Sequence, residues 1–229
     1  MHPSTSPSPT AIALSLTLNH TPQSSLAYTH MISSMMYDSL APELITARFR
    51  ARRLIHTYNA HFPPDATPAS LTADRAAILS EIFGKVGANP FVEPPLRVDY
   101  GCNVSIGKDF YANFGLVILD CGIVRIGERV MFGPGVAIFT ATHEVGVQSR
   151  REGREYAVGV DIGDDCWVGG NVTIMPGVRI GECMRAYWDS CVWGRNLDRD
   201  VVVNLKGIWA LTLMRCREGV YYWGGECGY

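Results

Sequence analysis

Apolar residues recur every six positions through the middle of the chain. Ile162, Val168, Ile174 and Ile180 lie six apart, with Gly at 163, 169 and 181, and Cys166, Val172 and Val178 keep the same interval between them. The rhythm also runs through Ile126-Gly127, Phe132-Gly133 and Ile138, with Val130 and Val136 between. A fainter run is Ile106-Gly107, Ala112-Asn113 and Ile118. Repeats of this kind predict a parallel β-helix, in which three hexapeptides make one triangular coil with the aliphatic residues turned inward. Stacked coils then lie ~4.8 Å apart, the ordinary strand spacing. Glycine beside an aliphatic residue, where it occurs, tolerates the tight corner. The phase slips between Ile118 and Ile126, which are eight apart, so two extra residues enter near Cys121-Gly122. From Ile138 to Ile162 the interval is 24, but residues 140–159 are polar and carry Arg150, Arg151, Glu152, Arg154 and Glu155. That stretch predicts an external loop, and insertions in solenoids commonly build the binding face.

Upstream the period changes to that of a helix. From Pro42 to Asn59, Leu44, Ile45, Phe49, Ile55 and Tyr58 recur at helical spacing, with Arg48, Arg50, Arg52 and Arg53 in the gaps, and Pro63-Pro64 ends the run. A second helix is expected from an N-cap at Thr72, with Asp74 in its first turn and an apolar stripe of Ile78, Leu79, Ile82, Phe83 and Val86 before Gly87 stops it. The pair forms a hairpin that needs another surface to pack on. Its arginines read most simply as a solvated face. Residues 1–30 are rich in Ser, Thr and Pro, which predicts a flexible extension. After Glu182 the rhythm is expected to stop. Residues 183–229 hold four of the five Trp, four of the seven Cys and none of the thirteen Pro. An irregular tail is predicted there, with Val201–Leu205 and Ile208–Leu213 able to form strands. The division is thus 1–34 disordered extension, 35–88 helical cap, 89–182 β-helix and 183–229 atypical tail.

Charge narrows the function. The 229 residues carry a net charge of −2 with no basic block, against a phosphate-binding nucleic-acid partner. Lys85, Lys108 and Lys206 are the only lysines, so a lysine-rich membrane patch is absent too. No apolar run reaches the ~20 residues that span a bilayer. Thr10–Leu18 is apolar but lacks a basic lead-in, so a cytoplasmic protein is expected rather than a secreted one. Seven cysteines without a CxxC predict reduced thiols and no zinc site. His143 is the only histidine in the repeat region, the others lying at 2, 20, 30, 56 and 61. It stands at the root of the external loop beside Thr140, Thr142 and Glu144. A neutral imidazole there could take a proton from a hydroxyl, although a lone loop histidine is also often structural. A catalytic zinc on three histidines is not expected, because no others lie nearby in the coil.

The segments FYANFGLVILD (Phe110–Asp120), FTATHEV (Phe139–Val145) and IGDDCWVGGNVTIMPGVRIGE (Ile162–Glu182) resemble the maltose/galactoside O-acetyltransferases. YDSLAPELITARFRARRLIHTYN (Tyr37–Asn59) is similar to that family's N-terminal capping domain, and NPFVEPPLRVDYGCNVSIGKDF (Asn89–Phe110) to the entry into its first coil. The likeness runs from about Tyr37 to Glu182. It implies a mainly β fold, a left-handed parallel β-helix with an N-terminal helical hairpin, assembled as a homotrimer. It implies transfer of an acetyl group from acetyl-CoA, a co-substrate and not a resident cofactor, to a sugar hydroxyl without a metal. His143 would be the general base. Asn113 and Asp120 would hydrogen-bond the acceptor, Tyr111 would shape its site, and Arg48 would reach it from the cap. Trp167 would line the acyl-donor cleft, where corner packing is an equal reading, and the Gly170 N–H would help stabilise the oxyanion. Two features depart from the family. An acidic residue usual before the cap helix is replaced in Ala41-Pro42-Glu43-Leu44, with Asp38 the nearest substitute. The family's last coil, lysine-bearing turn and proline-bearing CoA grip are absent after Glu182. The alternative reading is therefore a β-helix protein with impaired or no catalysis.

Overall fold

The computed structural model describes residues 2–22 and 25–186, together with the backbones of strands Cys191–Val192, Val202–Asn204 and Trp209–Leu211. The sixfold positions build a three-sided parallel β-helix. Face A stacks Val86, Ile106, Ile126, Ile162 and Ile180 in register. Face B stacks Val92, Ala112, Phe132, Val168 and Ala186. Face C stacks Val98, Ile118, Ile138 and Ile174, and strand Cys191–Val192 continues it. From Val92 onward the described side chains at these positions are buried, and they form one core with Tyr58, Leu79, Ile82 and Phe83 of the cap.

The coil runs further at both ends than the aliphatic rhythm predicts. Val86 starts face A instead of closing the second helix, because the helix stops at Ile82 and Phe83 turns into the core. Beyond Glu182, the boundary expected from the sequence, Arg185–Ala186 pairs with Trp167–Val168. Ala186 is small but still fills an inward position, at 2% exposure. In the tail, Val202–Asn204 and Trp209–Leu211 pair antiparallel at the edge of face C. The expectations about the tail's tryptophans and its grip on CoA concern residues outside the described ones.

All three long intervals fall at one corner of the prism. Val98 to Ile106 and Ile118 to Ile126 are eight residues, and Ile138 to Ile162 is 24, each between face C and face A. Glycines after the face A residues have a different reason from the one expected. At Gly107 an added Cβ would meet the backbone of Gly127 at 2.5 Å, so it is the close approach of the next coil that excludes a side chain.

Among the described residues, five helices accompany the coil. The cap pair is α3 (Pro42–Ala60) and α4 (Pro68–Ile82). Helix α4 begins one turn earlier than expected, since Thr67 and Ser70 form a reciprocal capping box and Pro68 suits the first turn. The expected disordered extension instead contains α1 (Pro9–Ser15) and α2 (Leu26–Ile32), N-capped by Ser8 and Ser25. Tyr28, Met31 and Ile32 are buried against Tyr37, Leu44, Tyr100 and Cys121. The first three keep the helical i, i+3, i+4 spacing after the Ser25 cap, a signal only one turn long within a Ser- and Thr-rich stretch; their burial comes from docking on the corner between faces C and A. Helix α5 (Val147–Arg151) lies inside the external loop.

Candidate active site

The external loop is a hairpin. Strand Ala141–Thr142 pairs antiparallel with Arg154–Ala157, and Tyr37–Asp38 pairs with the other side of the latter. Arg150 braces the turn by donating to the carbonyls of Glu144 and Val145, at 2.9 and 2.6 Å. His143 follows the first strand, with its side chain 55% exposed and Nε2 3.8 Å from Glu155 Oε2. The Tyr37 hydroxyl donates to Glu155 Oε1, as the Tyr37–Glu155 register requires. Burial pushes the Tyr37 phenol far above its usual range, so it stays a donor. An open imidazole therefore faces a mostly buried carboxylate whose second oxygen is already held.

The floor of this corner is polar. Asp120 is fully buried; its Oδ1 accepts the N–H groups of Asp99 and Tyr100 at 3.1 and 2.9 Å, and Oδ2 that of Asn103 at 3.4 Å. Desolvation raises its carboxyl to about 7, against the lowering effect of those backbone donors. The expected acceptor contact is corrected here, because this carboxylate pins the corner and has no exposed surface. The carboxyl that does reach the edge is Asp99. Burial raises it, Arg52 and Arg48 oppose the shift, and the Cys121 thiol lies 3.8 Å from its Oδ2. Arg48 donates to the Ser39 carbonyl at 2.6 Å and to the Tyr100 hydroxyl, with its guanidinium 5.5 Å from the centre of the Tyr100 ring. Arg48 thus reaches the corner from the cap.

Tyr37, Asp99, Cys121 and Glu155 were missed in the sequence. The interval of eight from Val98 to Ile106 repeats the one from Ile118 to Ile126 and would have placed Asp99 and Cys121 at one corner. Glu155 has no such signal, since its place depends on the antiparallel partner of the hairpin.

The remaining predicted residues gather elsewhere, on face B and its corner with face C. Outward from face B, Phe91, Tyr111, Met131 and Trp167 form one column in register. Asn113 turns the corner, its Oδ1 accepting the Phe114 N–H at 2.7 Å. Two coils approach closely beside it, so that a Cβ on Gly133 would lie 2.6 Å from the Gly170 nitrogen. This corner and the His143 corner are at opposite ends of face C, roughly 20 Å apart at ~3.3 Å per strand residue. Within one chain His143 and Glu155 are linked through Tyr37 and Cys121 to Asp99, with Arg48 beside it, and Tyr111, Asn113, Trp167 and Gly170 form a second group.

Comparisons with known proteins bear on the fold and the class of protein. Residues 30–87 match the model of the maltose acetyltransferase hexapeptide capping motif. The galactoside O-acetyltransferase of Escherichia coli is 35% identical over 147 residues, 64% of this chain and 70% of that protein. A maltose O-acetyltransferase from Clostridium difficile superposes with a TM-score of 0.73 at 31% identity, covering 82% of this chain and 97% of the other. A hexapeptide-repeat acetyltransferase from Vibrio cholerae, complexed with acetyl coenzyme A, gives 0.58 at 27% identity, covering 72% and 91%. The coil, the cap and these likenesses define a hexapeptide-repeat acyltransferase. Within that class the chain belongs to the maltose/galactoside O-acetyltransferase family.

Proposed function

We propose that the protein transfers the acetyl group of acetyl-CoA to a hydroxyl of a sugar, with His143 as general base. The observation that carries this reading is the open imidazole facing Glu155, at the root of the hairpin. In the proposed reaction His143 removes the acceptor hydroxyl proton as the oxygen attacks the thioester carbonyl carbon. The C–S bond then breaks, and the sulfur leaves as the thiol after taking the proton from the imidazolium. Glu155, held by Tyr37, orients the ring and favours its transient positive charge. Arg48 and Asp99 would bind acceptor hydroxyls from the cap side of the corner.

Donor groups come from the second cluster, and a neighbouring copy would supply it. Tyr111 and Asn113 would complete the acceptor pocket, while Trp167 and the Gly170 N–H would serve the acyl group and its oxyanion. A threefold ring of prisms satisfies this with three equal sites, each between two chains. The reading places the protein in the cytoplasm, in keeping with the buried free thiols of Cys102, Cys121 and Cys166. Among the described residues no helix is long and apolar enough to cross a membrane. The test is incubation with acetyl-CoA and glucose, maltose or a galactoside, followed by thiol release and the mass of the sugar. Acetylated sugar formed in step with free CoA is expected. CoA release with every sugar unmodified would contradict the reading.

A further inference from the structure

The column on face B continues past the proposed acceptor pocket. Trp167 marks the donor end and Tyr111 the acceptor, so the next rung below Tyr111 lies on the side away from the donor. That rung is Phe91, whose ring stacks on Tyr111 with centroids 5.7 Å apart and planes at 7°. Phe91 also lines a cavity of about 430 Å³ between the coil and the start of α4, shared with Phe62, Thr67, Thr72, Arg75 and Glu93. Phe62 is 70% exposed and Phe91 37%. The Arg75 Nε is buried and has no hydrogen-bond partner among the described residues.

We infer that this cavity is a distal acceptor subsite, and that the acceptor is an oligosaccharide bound along Tyr111, Phe91 and Phe62. A sugar ring has one face of C–H groups and a rim of hydroxyls. Flat rings exposed on a rigid strand suit the former. The Glu93 carboxylate and the unpaired Arg75 N–H suit the latter, while the Thr67 and Thr72 hydroxyls, already bonded within α4, keep only a spare acceptor lone pair each. A monosaccharide held at Tyr111 would leave Phe91, Phe62 and the Arg75 N–H unused. The inference rests on the acceptor reading above, because it extends the pocket that contains Tyr111 and Asn113.

Two measurements separate this inference from its foundation. Calorimetry on the donor-free protein compares glucose with maltotetraose, and N-acetylglucosamine with chitotetraose. In at least one series the tetrasaccharide is expected to bind ~10-fold or more tightly than its monomer, an increment of about 1.4 kcal/mol. Phe91→Ala and, at a largely exposed position, Phe62→Ala should bring the tetrasaccharide-to-monomer ratio towards one. Acetyl transfer by the same variants should show the same loss in the ratio of kcat/KM values. Equal affinity for monomer and tetramer in both series overturns the subsite, as does a ratio unmoved by both variants. Tight, Phe91-dependent binding of a tetrasaccharide without any acetyl transfer supports the subsite and contradicts the catalytic reading instead.

Discussion

Asp120 holds three backbone N–H groups in the interior of a corner, and that task removes it from contact with any acceptor. Its raised carboxyl has a consequence for stability. A group lifted from 3.8 to about 7 on folding contributes stability that is fully present below the unfolded value and is lost as pH rises through the folded one. The stability of the native chain relative to Asp120→Asn should therefore decline between about pH 4 and about pH 7 and level off above it. Urea melts of both proteins across that range check this, and a difference that stays constant or grows contradicts it. Glu155 acts at the surface of the same corner. Glu155→Gln keeps the shape of the side chain and removes its charge, so kcat should fall by ~10-fold or more with little change in KM, a loss confined to the transition state. Steady-state kinetics on the sugar acceptor read that split. At this scale His143 was legible because one histidine stands at a phase break. Glu155 was not, because a hairpin register brings it there from twelve residues away.

The elements divide by where their information lies. Repeat positions such as Ile126, Ile162 and Ile174 are legible because each is aliphatic and each coil repeats the same packing problem. The ends of the coil are harder to read. Val86 fits a helical stripe as well as a strand, and Ala186 is too small to mark a core position until the register of Trp167–Val168 with Arg185–Ala186 is known. Helix α2 was masked by the Ser- and Thr-rich composition around its short stripe of Tyr28, Met31 and Ile32, and Tyr28 is buried by docking on the coil with its hydroxyl donating to Asn103 Oδ1 at 2.7 Å. A disordered extension would tolerate truncation of its side chains. Here Met31, with no exposed surface, is predicted to cost ~2–5 kcal/mol on change to alanine. Thr67→Ala, which removes the capping box of α4, should cost about 0.5–2 kcal/mol. Denaturant melts of both variants test the two elements independently, and a Met31→Ala protein as stable as the parent would show that α2 does not pack as described.

At the scale of the whole molecule, the separation of the two residue groups across face C makes assembly part of the proposed chemistry. Each chain offers a corner with His143 and a corner with Asn113 and Trp167 that it does not itself join. His143→Ala and Asn113→Ala trimers, each inactive, should recover activity when unfolded and refolded together, because some interfaces then pair an intact His143 corner with an intact Asn113 corner. Light scattering at three times the chain mass should accompany that recovery, and a monomer mass for active protein would contradict the shared site. The most direct test of the central claim is the rate of sugar acetylation from acetyl-CoA by the native chain and by His143→Ala, with circular dichroism of both. The account predicts acetylated sugar from the native chain and a rate ~10²–10⁴-fold lower from the folded variant. A folded His143→Ala protein that acetylates sugar at the native rate would show that the base lies elsewhere.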